Sequence, residues 1–238
     1  MGAMLEELDY RRTEMGELIL RRRRSPSVPD DWVYEVKLDD EMLMSSTVNA
    51  SECALAELGV KAGGEHPSDV LVGGLGLGYT AVTALGFPQV RRLDVVEYME
   101  PVIGWHRDRL VPMAARLMDD PRCTLIQDDF FEFIKRSSAN RTGPYDVVLL
   151  DIDHSPESWL HERHAQFYTE SGLKPLVDCL VPNGVFALWS ADVPGADFLR
   201  QLKQVFDVVE PHTIRFFNPH IDEMDTNWIV VCTLNSGL

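Results

Sequence analysis

The sequence of 238 residues predicts an α/β fold built on a doubly wound, mostly parallel sheet. Three observations carry that expectation. Short apolar runs of strand type alternate with helical segments from Asp69 onward, the pattern of repeated strand–helix units with helices on both sheet faces. A glycine cluster lies where the first of those strands gives way to a helix. The last two strand runs are joined only by FFNPHIDEMDT, with no helix between them, which adds antiparallel strands at the C-terminal end. A small N-terminal β-hairpin unit precedes this domain, giving expected limits of 1–48 and 49–238.

The hairpin unit rests on Glu17–Leu20 and Trp32–Leu38, the second alternating as WVYEVKL. Arg21–Arg24, Ser25-Pro26 and Pro29-Asp30 read as a polar turn between them. Four consecutive arginines suit either an anion patch or a solvated strand end, and the solvated end is the more ordinary use of such a run. After Ser51 the stretch ECALAELGV has helical spacing and a glycine stop. Strands follow at Asp69–Val72, Arg92–Glu97, Cys123–Gln127, Tyr145–Asp151 and Gly184–Trp189. Helices alternate with them at Tyr79–Leu85, Pro101–Leu110, Phe130–Lys135, Gly172–Leu180 and Ala196–Phe206. The chain closes with strands at Thr213–Phe217 and Asn227–Leu234.

Composition narrows the function. Hydrophobic residues at 45% and charged residues at 25% describe a globular protein with a core. The net charge of −16 argues against nucleic acid as a partner, because phosphate binding depends on clustered Lys and Arg. It suits a cationic small molecule, although many proteins are acidic for solubility alone. Cys53, Cys123, Cys179 and Cys232 are too far apart in sequence for a C-x-x-C pair and read as reduced thiols. No apolar run approaches a membrane span and the N-terminus has no export-type stretch, so the expectation is a cytoplasmic protein with no membrane partner.

The segment DVLVGGLGLGYTAVTAL is the most informative. Gly73, Gly74, Gly76 and Gly78 let the backbone turn tightly and approach a nucleotide with no Cβ in the way. The next strand ends in Glu97, about twenty residues on, where a carboxylate can accept bonds from both ribose hydroxyls; the ordinary alternative is a plain strand-end acid. The third strand ends in Gln127-Asp128-Asp129, and Asp129, or Asp128 in its place, could reach an adenine amino group. A dinucleotide enzyme shares the first two features but needs a second strand–helix–strand half, which the closing hairpin displaces. The strand Tyr145–Leu150 then delivers Asp151, Ile152, Asp153 and His154, two acids and a histidine at a sheet edge, and these acids and the histidine are the candidate catalytic groups.

On EVKLDDEMLMSSTVNASECALAEL, VLVGGLGLG, VVEYME, DDFFEF, YDVVLLDIDHSP, HAQFYTESGL and GVFALW, taken in order, the chain resembles the spermidine synthase-like family of polyamine aminopropyltransferases. The resemblance implies a class I methyltransferase fold, a homodimer, and an aminopropyl group moved from decarboxylated S-adenosylmethionine to a small-molecule amine. No metal is expected, because His161 and His164 lie near Asp153 on a helical segment without a demonstrable ligand geometry. The resemblance assigns Glu97 to the ribose, Asp129 to the adenine and catalysis to Asp151. An amine of pKa near 10 is protonated at neutral pH, so a carboxylate must orient it and take its proton as the new bond forms.

The chain also departs from the family. The aspartate of the family's GGGDGG loop aligns with Gly76, its second catalytic-loop aspartate with His154, and the tyrosine of its amine groove with Ala50. The late Pro-Thr-Tyr-Pro segment has no counterpart in FFNPHIDEMDT. The lost loop acid favours two alternatives, a small-molecule methyltransferase using ordinary S-adenosylmethionine and an inactive nucleotide-binding sensor. His154 reads either as a proton carrier or as a loop histidine bonded to Asp153, the second being the more ordinary. Trp159, Phe167 and Tyr168 are expected to close the core.

Overall fold

The computed structural model describes residues 5–25, 31–66, 68–140 and 144–235. Four strands open the chain: β1 (Leu5–Thr13), β2 (Gly16–Arg24), β3 (Trp32–Leu38) and β4 (Glu41–Ser45) form an antiparallel sheet in sequence order. The expected hairpin is therefore the centre of a meander with two further strands. The arginine run closes β2 with half-buried side chains that are engaged in pairs. Arg21 and Arg23 bracket buried Glu35 at 2.8 and 2.6 Å, Arg22 pairs with Glu6 at 2.7 Å, and Arg22 and Arg24 lie over the Trp32 ring. Two guanidiniums on one buried acid hold its carboxyl below the usual carboxylate range, against the burial that would raise it. The turn expected at Pro26 and Pro29-Asp30 lies outside the described residues.

Helix α1 (Ala50–Ala62) leads into β5 (Ser68–Gly73), α2 (Tyr79–Leu85), β6 (Val90–Glu97), α3 (Glu100–Arg107), α4 (Ala114–Met118) and β7 (Cys123–Gln127). The second half runs α5 (Phe130–Asn140), β8 (Tyr145–Leu150), a 3-10 turn (Glu162–Gln166), α6 (Glu170–Asp178), β9 (Leu180–Ser190), α7 (Ala196–Leu202), β10 (Val208–Asn218) and β11 (Glu223–Thr233). The seven-stranded sheet has the order β10-β11-β9-β8-β5-β6-β7. Strands β5 through β9 pair in parallel, and β11 runs antiparallel to both β9 and β10, as the helix-free C-terminal link predicts.

The core strands are apolar on both faces, Val70–Val72 and Val147–Leu150 being buried throughout, because helices cover the sheet on each side. One face carries Leu55, Val60, Ile103 and Trp105 together with Leu18, Leu20 and Val36 of the N-terminal sheet, so that sheet closes onto the same apolar core. The other face packs Phe130, Ile134, Leu173, Phe198 and Phe206. Phe167 and Tyr168 are buried there as expected, whereas Trp159 is 39% exposed, its indole N–H donating to the Pro156 carbonyl at 2.7 Å.

Candidate active site

The chain builds the sheet outward from β5 through β6 to β7, then returns to place β8 on the other side of β5. Loops leaving adjacent strands at such a reversal diverge and leave a crevice at the carboxyl edge of the sheet. Gly73 pairs with Leu150 in parallel register, and the Asp151 N–H donates to the Gly73 carbonyl at 2.8 Å. Gly74, at φ +95°, passes so close that a Cβ would collide with the Asp151 carbonyl, so glycine is required there. The crevice is a cavity of about 360 Å³, within the range of small-molecule sites.

One half of the cavity is made by strand ends. Glu97, buried at the tip of β6, accepts the Leu75 N–H on Oε2 at 2.9 Å and the Met99 N–H on Oε1 at 2.8 Å. Burial raises its carboxyl above the usual range, and the backbone N–H groups around it oppose that shift. It therefore ties the glycine turn to β6 from the cavity wall. Asp129 caps α5 through the Phe131 N–H at 2.9 Å and meets Arg163 at 3.4 Å. Asp128 lies off the cavity wall, paired with Arg136. Gly74, Gly76 and Gly78 line the cavity, but Gly73 does not: it packs beneath the Phe130 ring.

The other half gathers residues remote in sequence. Asp151 accepts the Thr80 hydroxyl at 2.7 Å and keeps partial exposure because it forms part of the cavity wall. Glu52, in the first turn of α1, lines the same wall. Burial raises both carboxyls, and the negative charge of Asp151 raises Glu52 further. Ser51 Oγ lies 2.9 Å from both Glu52 Oε2 and Asn227 Oδ1, linking the helix start to β11.

Strand β11 pairs with β9 only from Trp228 to Thr233, while its pairing with β10 continues from Asn227 to Glu223. The segment beyond the sheet edge is thus a two-stranded arm, which turns Phe216, Asn218, Asp225 and Asn227 toward the cavity. Asn218 donates to Asp225 at 2.8 Å, and His220 at the tip lies 3.1 Å from the Thr47 hydroxyl, just past the N-terminal sheet.

The loop after β8 divides the catalytic candidates. Asp153 is buried and accepts from the Leu160 N–H (2.8 Å), His164 Nδ1–H (2.8 Å) and the Tyr168 hydroxyl (2.7 Å). Its acceptor sites are largely committed to fastening the loop, which leaves Asp151 the freer carboxylate for chemistry. The histidine bonded to Asp153 is His164, not the neighbouring His154. His154 stands on the cavity wall, and its backbone carbonyl accepts the Ala191 N–H at 2.8 Å.

Sequence reasoning found Glu97, Asp129 and Asp151 because each ends an apolar strand. It missed Glu52, Asp225 and Asn227, which end no strand of that kind. The one local signal was the polar pair Ser51-Glu52 opening an otherwise Ala/Leu-rich helix. Six carboxylates, from Glu52, Glu97, Asp129, Asp151, Asp153 and Asp225, line the cavity against a single Lys or Arg, Arg163, among the described residues.

The pattern that defines the spermine/spermidine synthase domain matches residues 40–214. The chain is 32% identical over 158 residues to polyamine aminopropyltransferase 2 of Pseudomonas aeruginosa, covering 62% of this chain and 42% of that protein. It is 34% identical over 86 residues to putrescine N-methyltransferase 1 of Nicotiana tabacum, covering 36% and 22%. The chain spans less than half the length of these curated relatives. Its fold matches that of spermidine synthase from Thermotoga maritima with a TM-score of 0.74 at 18% identity, over 97% of this chain and 74% of that one.

Proposed function

The chain belongs to the spermine/spermidine synthase domain family, and from that premise we propose that it transfers an aminopropyl group from decarboxylated S-adenosylmethionine to an amine. The observation that carries this reading is the charge of the cavity: among the described residues, six carboxylates face one guanidinium, itself engaged with Asp129. Burial draws protons onto Glu52, Glu97 and Asp151, and the acids of this wall that stay ionised attract a sulfonium donor that lacks a carboxylate, attract an ammonium acceptor, and repel the carboxylate of ordinary S-adenosylmethionine.

In this reading Glu97 holds the ribose and Asp129 the adenine side, so that the sulfonium lies against the glycine turn. The acceptor enters as an ammonium between Asp151 and Glu52. Asp151 accepts one N–H proton, the freed lone pair forms the new C–N bond, and the C–S pair leaves with neutral thioether sulfur. Thr80 fixes the Asp151 carboxylate during the transfer. Alignment of amine and sulfonium carbon supplies much of the remaining acceleration.

Methyl transfer is the second reading. It draws on Gly76, which leaves the turn without the family acid, and on the resemblance to a putrescine N-methyltransferase. One experiment separates the two. The protein is offered each donor with a diamine, and the product mass is read. An amine extended by an aminopropyl unit supports the proposal; an amine extended by one methyl overturns it in favour of the second reading. Tight binding of methylthioadenosine with no product from either donor would overturn both.

A further inference from the structure

His106, on α3, is fully buried beneath the glycine turn, outside the cavity, and takes no part in the mechanism above. Its Nε2 lies 2.9 Å from the Gly76 carbonyl. A carbonyl can only accept, so Nε2 carries the proton. The same contact leaves Nδ1 with a buried lone pair and no partner among the described residues. Leaving a buried acceptor unpaired costs free energy that an apolar side chain of similar size would avoid. The histidine must therefore contribute something through its one bond.

That bond acts on the residue where this chain lacks the family acid. Gly76 sits in the left-handed region at φ +49°, and its carbonyl is drawn toward α3. The Gly76–Leu77 peptide bond is trans, so the Leu77 N–H points the opposite way, away from His106. One imidazole contact thus sets the orientation of the peptide between two residues that line the cavity. Burial lowers the His106 pKa, so the ring is neutral at physiological pH and the tautomer is fixed.

We propose that His106 is a positioning residue for the donor: its Nε2–H fixes the Gly76 peptide and so shapes the side of the turn that the donor meets. The inference rests on the reading that this turn holds an adenosyl donor, and two measurements keep the two ideas apart. The first is calorimetric titration with methylthioadenosine; the second is amide hydrogen exchange at residues 75–78 in the ligand-free protein. His106→Leu removes the donor N–H and should weaken methylthioadenosine binding about tenfold, while turnover at saturating donor stays within about twofold. Exchange at residues 75–78 should quicken. His106→Gln can present an amide N–H at the Nε2 position and should recover most of the affinity, whereas the shorter His106→Asn should not.

Wild-type affinity and wild-type exchange in His106→Leu would overturn the proposal. If the leucine variant does not fold, glutamine and asparagine variants of equal affinity would overturn it instead. A wild type that ignores methylthioadenosine would refute the donor-site reading, and with it the donor role of His106. Exchange at residues 75–78 would still show whether His106 orders the turn.

Discussion

The half of the cavity proposed to hold the donor and the half proposed to hold the acceptor are assembled by different means. In the donor half, Glu97 and Asp129 close apolar strands that the parallel sheet sets side by side, and the glycine turn is tied to β6 through Glu97. In the acceptor half, Asp151 alone follows such a strand. Glu52 comes from a helix start, and Asp225 and Asn227 come from an arm that leaves the sheet. A half built on strand ends changes little when its loops vary, because the sheet fixes the positions. In the proposed reading, a half built on a helix start and a two-stranded arm can change its acceptor without disturbing the donor. A two-stranded ribbon is marginally stable by itself, so this arm depends on its tip contact with Thr47 and on the Asn218–Asp225 pair.

The sharpest way to break this comparison is Asp151→Asn. The amide keeps size and hydrogen bonding but cannot take the proton, so turnover should fall by about 10²–10⁴-fold with methylthioadenosine affinity nearly unchanged. Full turnover would remove Asp151 from catalysis and open the test of Asp153. Glu97→Ala should do the opposite, weakening methylthioadenosine by about 1.5–3 kcal/mol through loss of charged acceptor bonds. Calorimetry reads this directly, and unchanged affinity would take Glu97 out of the site.

Asp225→Asn tests the arm. The Michaelis constant for the amine should rise about five- to tenfold with the donor constant unmoved, the size of one weakened charged bond. A change in the donor constant instead would show that the halves are not separable. Gly76→Asp restores the family acid in a left-handed position that aspartate tolerates, with Met44 giving way. Competition titrations should show preference moving further toward the decarboxylated donor, and an unmoved ratio would mean that the wall charge already decides the choice.

The smallest effect concerns pH. Glu52 and Asp151 have raised carboxyls, so the folded chain holds protons that the unfolded chain releases near pH 4. The contribution of these two groups to stability therefore falls as pH climbs from about 4 through the raised values. Glu52→Gln removes its share of that fall. Thermal melts should show a gain over wild type at about pH 8 that shrinks at about pH 4. An equal offset at both would mean that Glu52 carries no raised carboxyl.

The elements that were legible in the sequence are those specified by local chemistry. Helix α2 and strand β7 begin and end where glycine, aspartate and apolar runs predicted. Strands β1 and β4 were not legible, since LEELDYRRT and EMLMS are mostly polar or short, and β1 is held to the sheet by β2 and by the Asp9–Trp105 bond. Within the site, the choice between Asp128 and Asp129 needed the fold, because neighbouring residues point in different directions and Arg136 claims one of them. The partner of Asp153 was misread as His154 because sequence proximity stood in for distance: the loop folds back and brings His164, eleven residues on, to 2.8 Å.

By itself the sequence determined the alternating architecture, the glycine turn and the acids that end strands, because strand period, helix period and turn chemistry act over a few residues. Tertiary structure alone decided which carboxylates share one cavity. Glu52 and Asp151 are 99 residues apart and Asp151 and Asp225 are 74 apart, and no local preference encodes their meeting. It follows from strand order: β8 returning beside β5 brings Asp151 to the turn, α1 packing on the sheet brings Glu52, and β11 outrunning β9 brings Asp225.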